Sequence, residues 1–200
     1  YANDRKIAVI MPDGENSFYT DMKYGKKFYT YVSDELVDYT RRILKLSRIH
    51  EKTFICGLSM GGYGAVRTAL KKPEHYAAAA SLSGCLDIAN SVQTCSWTNE
   101  AAAIWGDDFR TALAGSEADL FWLIKSFSDS MPKPRIYSAC GRQDELYTDN
   151  ITFRNFMNTV GRKKGFDFKH EEGDGVHNWA FWDKWVVTAI DFMLYGESKT

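Results

Sequence analysis

The decisive stretch of this sequence is Thr53-Phe54-Ile55-Cys56-Gly57-Leu58-Ser59-Met60-Gly61-Gly62, an apolar run that leads into the pattern Gly-x-Ser-x-Gly. This pattern is typical of a sharp turn between a strand and a helix, where glycines let neighbouring backbone approach a strained serine. Small and apolar residues follow at helical spacing as far as Pro73, which cannot continue a helix. Ser59 is therefore the first candidate nucleophile. Because so short a pattern also recurs by chance in glycine-rich turns, the serine needs partners elsewhere in the chain.

Length and charge limit the classes of protein to which the chain can belong. It has 200 residues, with 25 lysines and arginines against 26 acidic residues. A chain of this length buries about 70% of its unfolded surface, and we expect one domain over residues 1–200. The balanced charge argues against a nucleic-acid partner, and no apolar run approaches the ~18 residues of a membrane span. With no signal-peptide pattern at its start, the chain is expected to be soluble and cytoplasmic, without a membrane partner.

The four cysteines, Cys56, Cys85, Cys95 and Cys140, are few and scattered. None of them shows the Cys-x-x-Cys spacing of a zinc or redox site. We expect reduced thiols, with Cys85 and Cys95 the one pair to examine for a disulfide. The sequence predicts neither a metal site nor a cofactor.

Short apolar runs alternate with longer amphipathic ones, which is typical of βα units around a mostly parallel sheet. The predicted strands are Lys6–Met11, Thr53–Gly57, Ala77–Ser83, Arg135–Cys140 and Phe166–Glu171. The predicted helices are Met22–Leu46, Gly61–Lys71, Asn150–Arg162 and Trp179–Leu194. Residues 84–131 break the alternation, and we expect an insertion that forms either a lid or pocket wall or a plain pair of surface helices.

A serine hydroxyl becomes a useful nucleophile when a general base lies within hydrogen-bond reach and a carboxylate orients that base. On a strand-turn-helix scaffold the order along the chain is serine, acid, histidine. Only His177 of the four histidines lies in a loop after a predicted strand. The others are weaker candidates: His50 ends a helix-like segment, His75 lies in a connector, and His170 lies within a strand-like run.

The acid is expected just beyond the strand that ends at Cys140. Asp144 is the favoured residue and Glu145 is its near rival, since a shift of one residue decides which side chain turns inward. Asp174 ranks third, because three residues along one loop give poor geometry for orienting His177.

Stabilisation of the oxyanion normally uses the backbone N–H of the residue after the nucleophile and a second N–H from an earlier loop. Met60 supplies the first of these two donors. No turn upstream in the sequence identifies the second.

Four motifs in this chain resemble the esterase D-like branch of the α/β hydrolases, which includes S-formylglutathione hydrolases and feruloyl esterases. They are Ile10-Met11-Pro12-Asp13-Gly14 with Asn16-Ser17-Phe18-Tyr19-Thr20, Gly57-Leu58-Ser59-Met60-Gly61-Gly62, Cys140-Gly141-Arg142-Gln143-Asp144, and Gly175-Val176-His177-Asn178-Trp179 with Trp182. Bacterial tributyrin esterases are the most similar group. The resemblance implies a three-layer α/β-hydrolase sandwich, with Ser59 as nucleophile, Asp144 as acid and His177 as base.

The chain departs from this family at its start. Family members carry two or three additional strands and a His-Gly-containing loop before the segment that opens this sequence. By resemblance Lys6–Met11 is the fourth strand of the fold, and the strand that normally separates it from the nucleophile strand has no counterpart. We expect a further N-terminal segment of the same polypeptide to supply that strand and the second oxyanion donor.

The predicted function is that of a serine carboxylesterase that hydrolyses small, short-chain acyl esters through an acyl-enzyme, with a small-molecule ester as its partner. Alternatives are an acetyl- or feruloyl-polysaccharide esterase, an acyltransferase with the same triad, and a non-catalytic binding module on a hydrolase scaffold. Trp97 and Trp179 are candidates for stacking on a sugar or phenolic ring, although aromatic side chains equally serve as core. Homo-oligomerisation stays open.

Overall fold

The computed structural model describes residues 1–196, so the last four residues of the predicted domain lie outside it. Its centre is a parallel sheet with the strand order β1-β2-β3-β4. The strands are β1 Phe54–Leu58, β2 Ala78–Leu82, β3 Arg135–Gly141 and β4 Phe168–Gly173. Parallel neighbours need long crossover connections, and helices occur between each successive pair of strands.

The helices are α1 Phe28–Thr30, α2 Leu36–Ile43, α3 Met60–Lys71, α4 Ile88–Thr94, α5 Thr98–Trp105, α6 Phe109–Ala112, α7 Leu120–Ser126, α8 Tyr147–Phe156 and α9 Trp179–Tyr195. Wider π-type turns over Tyr31–Glu35 and Met157–Gly161 join α1 to α2 and extend α8, and His50–Lys52 forms a 3₁₀ turn before β1.

Both faces of the sheet are covered, which gives the three-layer arrangement of an α/β hydrolase. Strand β2 is buried throughout and consists mostly of alanine and serine, so helices approach it closely from either side. On one face, Tyr63 and Val66 of α3 pack with residues of α4, α7 and α8. On the other face, Phe181 and Phe192 of α9 pack on β2 and β3. The predicted fold class is confirmed, and four of the five predicted strands occur within a few residues of their expected limits.

The predicted strand Lys6–Met11 is wrong. Residues 7–14 have no regular secondary structure, and Val9 and Met11 have exposed side chains. A strand requires a neighbour that satisfies its backbone hydrogen bonds, and no strand of the described chain lies beside this segment. The outer edge of β1 also lacks a neighbouring strand. Within residues 1–196 the sole partner of β1 in the sheet is β2, and Cys56 is exposed.

The first predicted helix, Met22–Leu46, begins later than expected. Residues 21–27 instead form a turn closed by an antiparallel bridge between Asp21 and Lys27. The Asp21 carboxylate then accepts hydrogen bonds from the N–H and the hydroxyl of Thr30, at 2.9 and 2.7 Å. These bonds fix the turn in front of the helix, which explains why the periodic apolar pattern overestimated its length.

Residues 84–131 fold into the four short helices α4 to α7. Their apolar side chains, including Ile88, Val92, Leu120 and Ile124, are buried in the core beside α3. The segment is therefore packed onto the domain over much of its length. None of the helices in residues 1–196 is both long enough and apolar enough to cross a membrane.

Candidate active site

Ser59 occupies the sharp turn between β1 and α3. Its backbone has φ 53° and ψ −124°, a left-handed conformation that costs free energy in a residue with a side chain. Its N–H donates to the carbonyl of Leu82 at 2.9 Å, which fixes the turn to the end of β2. Gly57 must lack a side chain, because a Cβ there would lie 2.2 Å from the carbonyl oxygen of Gly61.

The loops after β3 and β4 are held together by close backbone contact. A Cβ at Gly141 would lie 2.2 Å from the carbonyl oxygen of Gly175, so only glycine lets the loops approach to this distance. The Gln143 N–H donates to the Gly175 carbonyl at 3.1 Å, and the Gln143 side chain accepts from the Gly175 N–H at 2.7 Å. This junction sets the loop that carries Asp144 against the loop that carries His177.

The structure brings Ser59, His177 and Asp144 together in one line. His177 Nε2 lies 2.9 Å from Ser59 Oγ. On the other side of the ring, Nδ1 lies 3.0 Å from both carboxylate oxygens of Asp144. This arrangement allows the imidazole to accept a proton from the serine while the carboxylate stabilises the resulting positive charge.

The competing carboxylates lie elsewhere. The Asp144 side chain is fully buried, and its Oδ1 also accepts from the Leu146 N–H at 2.9 Å. Glu145 is exposed, and Asp174 lies 3.4 Å from the guanidinium of Arg142. Of these three acids, Asp144 is the one that contacts the histidine.

Trp182 supports His177 from the side of α9. The two rings meet edge to face, with centroids 5.0 Å apart and planes at 89°. The indole N–H of Trp182 donates to the hydroxyl of Ser83 at 3.1 Å, which ties this ring to the end of β2. The sequence motif contained Trp182, but no local pattern predicted its contact with the imidazole.

Met60, the predicted oxyanion donor, is the first residue of α3. The first N–H groups of a helix lack partners within the helix, which leaves such a group free to bind developing negative charge. The second donor stays a prediction, as no described residue is assigned to that role.

A cavity of about 820 Å³ opens beside Ser59. Its lining comes from four parts of the chain: Asn16 and Phe18, Ser59 and Met60, Cys85 with residues of α4 and α5, and the segment from Glu145 to Asp149. Trp97 is one of the lining residues, and its ring stacks on that of Phe18 at 5.2 Å. Trp179 does not line the cavity: it is 71% exposed and packs edge to face against Trp182.

The remaining histidines and cysteines take no part in this arrangement of three residues. His50 contacts the backbone carbonyl of Pro73, and His75 contacts that of Ser33. All four cysteines have free thiols, and both Cys85 and Cys95 line the cavity without a disulfide. Across residues 1–196, no cluster of three or more His, Cys, Asp or Glu side chains has the spacing to hold a metal ion.

A second serine–histidine pair, which the sequence did not reveal, lies inside the sheet. Ser138 on β3 and His170 on β4 are opposite each other, with Ser138 Oγ 2.7 Å from His170 Nδ1. Burial, and then the charge of Arg154, lowers the pKa of His170 to about 4. The register between β3 and β4 brings together two residues that are 32 positions apart in the sequence, so no local motif predicts this contact.

The fold and the Ser-His-Asp arrangement define the class of the protein, that of the α/β-hydrolase serine enzymes. Residues 2–192 match the model of a family described as "Putative esterase". An acetyl esterase of Caldicellulosiruptor saccharolyticus is 34% identical over 94% of this chain and 71% of its own length. The chain therefore belongs to this esterase family, in its esterase D-like branch, and it is a serine carboxylesterase.

Solved structures agree with this assignment. The fluorophosphonate-binding serine hydrolase FphF of Staphylococcus aureus has a TM-score of 0.85 at 34% identity, over 96% of this chain and 73% of that protein. The S-formylglutathione hydrolase FrmB of Staphylococcus aureus has a TM-score of 0.82 at 34% identity, over 96% and 74%. A more distant relative, the diacylglycerol acyltransferase/mycolyltransferase Ag85A of Mycobacterium leprae, is 25% identical over 88% of this chain and 61% of its own length.

Proposed function

We propose that Ser59, His177 and Asp144 are the catalytic triad with which this enzyme hydrolyses short-chain acyl esters through an acyl-enzyme. The observation that carries the proposal is the position of His177, whose two ring nitrogens lie within 3.0 Å of the serine and of the buried carboxylate. The acetyl esterase relative supports a short acyl group.

In the first half of the reaction, Ser59 Oγ attacks the ester carbonyl carbon while its proton moves to His177 Nε2. Asp144 accepts a hydrogen bond from Nδ1 and stabilises the imidazolium, and the Met60 N–H donates to the oxyanion. The tetrahedral intermediate then expels the alcohol, which takes the proton from Nε2. The acyl group remains on Ser59 as an ester.

In the second half, a water molecule gives a proton to His177 Nε2 as its oxygen attacks the acyl carbon. Collapse of the new intermediate breaks the bond to Ser59 Oγ, which regains the proton from Nε2. The products are the carboxylic acid and the free enzyme, and the water supplies the only atoms added to the ester.

Residues 84–131 are proposed to form a wall of the substrate cavity. The support is the lining itself, to which α4 contributes Asn90, Ser91 and Gln93 and the α5 segment contributes Trp97 and Glu100. Of the two candidate tryptophans, Trp97 is proposed to contact substrate, because it lines the cavity and the exposed ring of Trp179 does not.

Acyl transfer to an alcohol is the second candidate function, and the Ag85 relatives favour it. An acyl-enzyme reacts with either water or an alcohol, so the same triad serves both reactions. Product analysis with an acyl donor and an added alcohol separates them: an esterase releases mainly free acid, whereas an acyltransferase forms mainly the new ester.

The substrate class is tested with nitrophenyl acetate, butyrate and ferulate, each measured with wild-type enzyme and with Ser59→Ala. We expect kcat/KM for acetate and butyrate to exceed that for ferulate by at least about tenfold, and all three activities to disappear in the variant. A preference for ferulate would contradict the short-chain assignment, and undiminished activity in the variant would remove Ser59 from its role.

A further inference from the structure

The cavity beside Ser59 is lined by acidic side chains. Glu100 on α5, Glu145 just before α8, and Asp149 on α8 reach it from separate segments. The other polar side chains that line it, such as Asn16, are uncharged. No lysine or arginine is among the lining residues, all of which belong to the described part of the chain.

These carboxylates are not neutralised by neighbours. Within residues 1–196, none of the three forms a salt bridge, and the partner of Asp149 is the hydroxyl of Ser91 at 2.6 Å. Elsewhere the chain does pair its acids: Glu172, for example, lies 3.5 Å from Arg142 and 3.6 Å from Arg154. Burial raises the pKa of Asp149, whereas Glu100 and Glu145 are exposed. The cavity therefore retains net negative charge near neutral pH.

The same negative charge affects a nearby carboxyl group, that of Asp87. Asp87 immediately precedes α4, the helix that supplies much of the wall. Burial raises the pKa of Asp87, and the charge of Asp149 raises it further. An added anion in this neighbourhood thus meets both a loss of solvation and repulsion from carboxylates already present.

We propose that this cavity receives the leaving group of the ester, and that it selects esters whose leaving group is neutral or cationic and excludes those whose leaving group is anionic. The inference rests on the proposed function, since it concerns the leaving group of an ester attacked by Ser59. Screening by physiological salt is incomplete for charges that lie within the Debye length of about 8 Å, so several carboxylates around one cavity act together on an anion bound between them.

Such charge selection would distinguish this chain from relatives that hydrolyse S-formylglutathione. The glutathionyl group of an S-acylglutathione carries two carboxylates and one ammonium group near neutral pH, and is therefore anionic overall. We expect S-formylglutathione to be a poor substrate for this chain compared with a neutral acetyl ester, although an S-formylglutathione hydrolase is among its structural relatives.

The test uses three phenyl acetates that differ in the charge of the leaving group: 4-acetoxybenzamide, 4-acetoxybenzoate and the acetate of 4-hydroxyphenyltrimethylammonium. Each kcat/KM is divided by the rate constant for hydroxide-catalysed hydrolysis, which removes differences in chemical reactivity. We expect the anionic ester to fall at least about tenfold below the neutral one at low ionic strength, and the gap to narrow in about 1 M salt. Equal normalised rates for anion and neutral ester would overturn the proposal.

The double variant Glu100→Gln/Glu145→Gln removes two of the charges at exposed positions. It should raise the normalised anion-to-neutral ratio by about three- to tenfold. The matched control is Glu51→Gln, which changes the same residue type at a side chain that is 76% exposed, before β1 and thus at the far end of the sheet from Ser59. If the double variant leaves the ratio at the wild-type value, or the control shifts it equally, the carboxylates of the cavity do not set the preference.

Failure of this inference is distinguishable from failure of the proposed function. If the neutral ester is hydrolysed only when Ser59 is present but leaving-group charge has no effect, the triad stands and the charge selection is wrong. If Ser59→Ala hydrolyses the neutral ester as well as wild type does, the proposed function itself is wrong.

Discussion

The molecule contains two serine–histidine pairs with similar distances and very different surroundings. Ser59 Oγ and His177 Nε2 are 2.9 Å apart at the carboxyl-terminal ends of the strands. Ser138 Oγ and His170 Nδ1 are 2.7 Å apart inside the sheet, between β3 and β4. A hydrogen bond between serine and histidine is therefore not what defines the site.

Two features distinguish the pairs. The first pair borders an open cavity and has Asp144 on the far side of the imidazole, whereas Ser138 is completely buried. The free nitrogen of His170, Nε2, is also buried and has no hydrogen-bond partner in the described chain. A nucleophile needs access to substrate and a base whose positive charge is stabilised, and only the Ser59 pair has both.

The largest difference is expected from removing each serine in turn. Ser59→Ala should lower kcat for nitrophenyl acetate by about 10⁴-fold or more, because it deletes the attacking atom. Ser138→Ala, the matched control, should retain kcat/KM within about threefold. Steady-state kinetics on both purified variants makes the measurement, and a comparable loss in the two would erase the distinction between the pairs.

Removing the carboxylate of Asp144 should make the Ser59–His177 pair more similar to the Ser138–His170 pair. Asp144→Asn keeps the size of the side chain but cannot stabilise the imidazolium, and we expect kcat to fall by about 10³- to 10⁴-fold. Glu145→Gln, one residue along, should cause a far smaller loss, because its side chain does not contact His177. The opposite order of effects would identify Glu145 as the acid.

The buried Ser138–His170 pair should make the free energy of unfolding depend on pH. The pKa of His170 is about 4 in the folded chain against its ordinary value of 6.5, so the unfolded chain binds the proton more tightly. The free energy of unfolding contributed by this group is fully present above pH 6.5 and is lost as the pH falls towards 4. Urea titrations at pH 7.5 and pH 5 should show about 2 kcal/mol more loss for wild type than for His170→Gln. Equal losses in the two proteins would contradict the burial of a neutral His170.

Ser59, Asp144 and His177 could be predicted from the sequence because each lies in a turn or loop that follows a predicted strand. Parallel strands end at one edge of the sheet, so residues in such loops meet even when they are far apart in the chain. The choice between Asp144 and Glu145 could not be made in this way, since it depends on which side chain the turn buries. The structure decides that Asp144 turns inward, at 0% side-chain exposure.

Features that depend on contacts between distant segments could not be predicted from the sequence. The contact of Ser138 with His170 requires the register of β3 on β4, and the failure of Lys6–Met11 as a strand reflects a missing partner. The acidic lining of the cavity is similar, because α5 and α8 bring Glu100 and Asp149 together only in the folded chain. Apolar periodicity records what one segment buries, but it does not record which segment lies beside it.

Labelling with a fluorophosphonate probe tests most directly whether Ser59 alone is an activated serine. The chain is incubated with the probe at neutral pH and digested, and the modified peptide is identified by mass spectrometry. We expect rapid, stoichiometric modification of Ser59, no modification of Ser138, and no labelling of Ser59→Ala or of protein denatured before addition. Modification of Ser138, or labelling of Ser59→Ala at the wild-type rate, would contradict the assignment of the nucleophile.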